Sequence, residues 1–163
     1  MTKEHRIIKR WLLFFIAALF LSGLSAIPTE TELDFLTRLF PPNTETGRWI
    51  DKIYSGVAVT NADYPFIAYG YDWLAFAHFA LAILFIGPYM DPIRNKWVIE
   101  CGLLFCLLVI PFAWIAGYFR SIPPAWRLLD CLFGIIGLVP LLICYRKIAA
   151  MEKIKTQNLA NEN

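Results

Sequence analysis

The chain has 163 residues, 58% of them hydrophobic, and a formal net charge of only +2. Soluble domains are about 45–50% apolar, and the excess here is gathered into four long blocks, which excludes an ordinary soluble core. A near-neutral balance gives no basis for nucleic-acid binding, and the length sets a single domain.

Residues 1–10 form a basic tail with Lys3, Arg6, Lys9 and Arg10. Residues 11–27 are apolar or small, just long enough to span a bilayer. Two readings of this start compete. A basic tail, an apolar run and Gly23-Leu24-Ser25 before Ala26 resemble a cleavable signal peptide. The run exceeds the usual h-region of about 7–15 residues, which favours an uncleaved signal anchor.

Residues 28–72 are the one sizeable polar region. Seven acids (Glu30, Glu32, Asp34, Glu45, Asp51, Asp63, Asp72) against three bases (Arg38, Arg48, Lys52) leave a charge of −4. Thr29 and Thr31, with Glu32 and Asp34 following, suit a helix start, and Pro41-Pro42 ends that helix. Trp49, Ile50, Ile53, Tyr54 and Val57 share one helical face, which predicts a second helix over 46–57. Two short helices enclose no core alone, so their apolar faces lie on the bilayer surface or cap the bundle. A scaffold loop and a partner-binding surface are both open readings of this region.

Tyr64, Tyr69, Tyr71 and Trp73, with Phe66, make an aromatic belt of the kind found at a membrane–water interface. A ligand-stacking role for these rings is the alternative. Spans are predicted over 73–90, 97–119 and 126–145. Asp91-Pro92-Ile93-Arg94-Asn95-Lys96 forms the turn between the first two, and Pro123-Pro124 stops a helix between the last two. Pro111 and Pro140 sit inside spans and are expected to bend them. Residues 146–163 are a polar tail able to continue the last helix before fraying. The expected fold is all-α: an integral membrane four-helix bundle with one short helical ectodomain loop. With both tails inside, ten Lys and Arg fall on the inner side and five (Arg38, Arg48, Lys52, Arg120, Arg127) on the outer, which predicts both termini in the cytoplasm.

Ionisable residues inside spans are costly and become site candidates by default. His78 lies ~9 Å below Asp72 and Asp130 ~6 Å below Trp126 at the helical rise. Ala75 and Ala82 share a face with His78, and Gly134 and Gly137 share one with Asp130. Small residues admit close helix approach, which makes a His78–Asp130 contact an expectation, the carboxylate orienting the imidazole. A proton-handling or ligand site and a polar pair that merely fixes helix register are both consistent with it. Glu100 lies four residues after Lys96 and Arg127 three before Asp130, each at a spacing that suits an ion pair. Cys101, Cys106, Cys131 and Cys144 all lie in apolar runs without a C-x-x-C pair. They read as buried small residues, with a redox pair as the rival that needs thiols nearer water. No cofactor or metal is expected: the only other histidine, His5, lies in the tail, and one histidine with scattered cysteines makes no zinc site. Nucleotide-binding, serine-hydrolase and metalloprotease motifs are absent from the sequence.

Residues 64–100, YPFIAYGYDWLAFAHFALAILFIGPYMDPIRNKWVIE, together with Trp126-Arg127-Leu128-Leu129-Asp130-Cys131, resemble a family of small bacterial multi-pass membrane proteins. The resemblance implies a bacterial inner membrane and no particular activity. The expected function is that of a non-enzymatic accessory or interaction protein, partnered by the lipid bilayer and by another membrane or envelope protein through residues 28–72. The alternative is a small membrane enzyme or carrier using His78 and Asp130 near the outer leaflet. A sensor presenting the loop to the envelope is a further rival.

Overall fold

The computed structural model describes residues 3–161. The extreme ends of the two tails, residues 1, 2, 162 and 163, and the Lys155 side chain counted in the basic tally lie outside the described part. The described chain is all-α: α1 Lys3–Ala26, α2 Thr29–Leu39, α3 Glu45–Asp63, α4 Pro65–Leu84, α5 Ile86–Met90, α6 Lys96–Phe119 and α7 Pro124–Asn161. No strand occurs among the described residues. Four stretches are long and apolar enough to cross a membrane: Lys3–Ala26, Pro65–Met90, Lys96–Phe119 and Pro124–Lys153.

Several boundaries differ from the sequence reading, and prolines explain most of them. Proline suits the first helical position, and α4 accordingly opens at Pro65, eight residues before Trp73. That places Tyr69, Tyr71 and Trp73 on the helix itself. The residue before a proline is disfavoured in helical geometry, so α3 runs on past Val57 to Asp63 and stops at Tyr64 (φ −137°, ψ 58°). Pro88 has no N–H, and its ring clashes with the carbonyl four residues earlier. The second span therefore breaks at Phe85 into α4 and α5. Pro111 and Pro140, by contrast, lie within the continuous helices α6 and α7. The start of α2 is also not capped as expected. Pro28 stands at the cap position without a side-chain bond, and the Thr29 hydroxyl donates back to the Ala26 carbonyl at 2.6 Å.

The chain folds as two compact units, Met1–Ala17 with Ala82–Asn163, and Ala18–Leu81. In the first, α6 and α7 form an antiparallel hairpin. Helices approach closely where small residues line the contact, and Gly134 carries this to its limit: a Cβ there would stand 2.5 Å from the Cys106 carbonyl oxygen. Gly102 is similarly filled by Phe85 and Leu141, and Gly117 by the stem of Arg127. The hairpin turn is a Schellman ending: Ile122 N donates to Gly117 O at 2.9 Å and Ser121 N to Tyr118 O at 3.2 Å, with Ser121 at φ 54°. The early part of α1 joins this hairpin. Ile8 and Leu12 are fully buried, as are Ile99, Leu141 and Ile148, and the Cys144 thiol lies 3.7 Å from the Ile8 carbonyl oxygen.

In the second unit, α2 and α3 form an antiparallel pair. Thr44 caps α3 by accepting from Gly47 N at 3.0 Å. Asn61 Nδ2, near the end of α3, donates to Glu30 Oε2 near the start of α2 at 2.6 Å. In the same unit, Gly23 of α1 packs on Ala75, His78 and Phe79 of α4, and the Phe20 and Phe79 rings lie 5.1 Å apart.

Candidate functional site

His78 is half-buried on α4 in the second unit. Its Nδ1 lies 2.8 Å from the Leu74 carbonyl oxygen one turn back. A carbonyl only accepts, so Nδ1 carries the proton in this contact, and the lone pair of the neutral ring is on Nε2. The small face that His78 shares with Ala75 is occupied within the unit by α1. A Cβ on Gly23 would stand 2.9 Å from both the Ala75 carbonyl oxygen and the His78 Cβ. The histidine is thus held in one tautomer at a close helix crossing, with one nitrogen able to take up a proton.

Asp130 belongs to the other unit and is exposed on α7. The glycines expected to admit a neighbour beside it are spent elsewhere. Gly134 fits against the Cys106 carbonyl and Val109, and Gly137 against the Cys106 sulfur. The buried line of α7 passes through Cys131 rather than Asp130. Phe133 (68% exposed), three residues on, stands outward on the same face as the carboxylate. Within its own unit, among the described residues, Asp130 has no hydrogen bond or ion pair.

The Arg127–Asp130 pair suggested by spacing does not form. Side chains on a helix lean toward its N-terminus, which carries the Arg127 guanidinium away from Asp130 and over the turn. Its Nε donates to Ile122 O at 2.7 Å, and the guanidinium lies 5.8 Å from the Trp114 ring centre. Arg127 is therefore a seal on the α6–α7 turn. The Lys96–Glu100 pair is replaced in the same way. Lys96 leads α6, and its Nζ reaches Glu152 Oε2 on α7 at 2.7 Å, with the Tyr145 ring 5.2 Å away. Glu100 is exposed, between Trp97 and Leu104 on the outward face of α6.

Sequence reasoning missed Glu152 because it lies in the tail, and only the continuation of α7 brings it beside α6. It also missed the Lys147–Glu4 pair at 2.5 Å, which ties the tail helix to α1. The Asn61–Glu30 bond between α2 and α3 was equally unforeseen. There the Asn61 Oδ1 is buried without a partner among the described residues.

The belt aromatics form a ladder of edge-on contacts on α4. Tyr69 and Trp73 centroids lie 5.9 Å apart, and those of Trp73 and Phe76 5.6 Å. Tyr64 contacts Phe66 at 6.2 Å in the same fashion. Phe66 (74%) and Tyr69 (61%) face outward, while Tyr71 is half-buried. All four cysteines are free. Cys131 and Cys144 are buried, and Cys101 and Cys106 half-buried. Among the described residues no three of His, Cys, Asp and Glu come together as a metal ion requires. Comparison with protein-family models, with curated proteins and with solved structures gives no significant match to this chain.

Proposed function

We propose that this chain is a multi-pass protein of a bacterial inner membrane, with both termini cytoplasmic, that works as a non-enzymatic accessory subunit of another membrane protein. The observation that carries the reading is Asp130. An acidic side chain inside an apolar span is costly and is normally paired or turned toward protein or water. Asp130 nonetheless stands exposed between apolar neighbours with no partner in its own unit. A spanning helix from a partner, presenting an amine, guanidinium or other donor at the same depth, would satisfy it. Residues 28–72 offer a second contact through α2, where Phe35 and Leu39 are exposed.

The test is purification in mild detergent with mass spectrometry of what remains bound. The wild type should hold a stoichiometric membrane protein. Asp130→Glu should keep it and Asp130→Leu should lose it while remaining folded. Retention of the same partner by Asp130→Leu would refute this assignment.

One observation favours a second reading, a small enzyme or carrier with a proton site. The His78 Nδ1 proton is on Leu74 O, which leaves Nε2 as a base midway along the Pro65–Met90 stretch. In that case a retained small molecule or lipid would replace the protein partner, and His78→Ala would abolish activity without unfolding the chain.

A further inference from the structure

One end of the unit made of Met1–Ala17 and Ala82–Asn163 gathers charge at a single level. Glu4 of α1 pairs with Lys147 of α7, and the Cys144 thiol lies against the Ile8 carbonyl, so residue 6 stands at the height of residues 145–146. Lys96 at the head of α6 meets both Tyr145 and Glu152 of α7. Lys9 of α1 lies 5.0 Å from the Tyr89 ring of α5. These contacts tie α1, the α5–α6 turn and α7 together at one height.

They also sort the charges. Nine described bases stand at this end (Lys3, Arg6, Lys9, Arg10, Arg94, Lys96, Arg146, Lys147, Lys153) against four acids, Glu4, Asp91, Glu100 and Glu152. Lys147 and Lys96 hold Glu4 and Glu152, and Asp91 Oδ1 accepts the Arg94 backbone N–H at 3.0 Å. The four arginines Arg6, Arg10, Arg94 and Arg146 are exposed. Directly inward of them the outer faces turn apolar, at Leu13 on α1, Trp97 on α6 and Leu142 on α7, all exposed. The arginines thus ring the helices where the lipid-facing surface begins. Guanidinium suits this position, since its planar fork meets phosphate oxygens in pairs.

We infer that Arg6, Arg10, Arg94 and Arg146 form a collar that binds the phosphate headgroups of anionic phospholipids around this end of the protein. The ion pairs beneath hold the collar at headgroup height. Juxtamembrane bases each contribute about fivefold to attraction toward an anionic leaflet, and the zwitterionic headgroup lacks the net charge to match them. The inference does not depend on the Asp130 reading.

The test uses the full-length protein in detergent, with phosphatidylglycerol and phosphatidylcholine of identical chains competed for binding and read by native mass spectrometry. The wild type should retain phosphatidylglycerol at least tenfold over phosphatidylcholine, and excess inorganic phosphate should not displace it. Arg6→Gln, Arg10→Gln, Arg94→Gln and Arg146→Gln should each cut that preference about fivefold. Arg120→Gln, an exposed arginine at the opposite end of α6, should leave it unchanged. Equal retention of both lipids by the wild type would overturn the inference. So would loss of preference in Arg120→Gln equal to that in the collar variants, or displacement by inorganic phosphate. Melting temperatures of all variants separate lost binding from lost fold.

Discussion

Arg127 sits three residues before Asp130, yet its Nε donates to the Ile122 carbonyl. Spacing along a helix states which charges share a face. It does not state which way a long stem leans, or what backbone lies within reach. The partners that spacing suggested for Arg127 and Lys96 are therefore not the ones they take. Ser121 illustrates the same scale for the backbone. It occupies the left-handed position of the α6 ending at φ 54°, where a Cβ costs about 1–2 kcal/mol and glycine is the usual occupant. Ser121→Gly should raise stability by about 1 kcal/mol, read as a higher melting temperature in detergent. Gly134 is the converse. A Cβ there meets backbone that cannot swing aside, so Gly134→Ala should lower stability by about 1–3 kcal/mol. Gly56, with nothing within 4 Å of an added Cβ, is the control. Gly56→Ala should stabilise α3 by about 0.5–1 kcal/mol.

At the scale of elements, the apolar blocks made the four long helices legible, because a run of about 20 apolar residues has few other fates. Their ends were less legible. Pro65 was passed over as a helix start, and Pro88, not Pro111 or Pro140, breaks a span. The helical tail beyond Tyr145 was foreseen, but not that it would carry Glu152 back to Lys96 and Lys147 to Glu4. Those pairings depend on where helices cross, which periodicity does not encode. They give a clear expectation in stability measurements. A double-mutant cycle of Lys96→Leu with Glu152→Leu should show clear coupling, and the cycle of Lys96→Leu with Glu100→Leu should show much less. Coupling in the second cycle alone would restore the pairing suggested by sequence spacing.

At the scale of the whole molecule, the blocked distribution of apolar residues sufficed for the all-α class and for membrane-capable helices. The candidate site was legible only as a set of names. His78 and Asp130 belong to different compact units. The proposed function rests on one premise: four crossings, with both termini on the cytoplasmic side. The most direct measurement of that premise is a pair of topology reporters, one fused after Asn163 and one inserted at Thr60 in α3. The account predicts a cytoplasmic signal from the first and an external signal from the second. Signals from the same side of the membrane would contradict it.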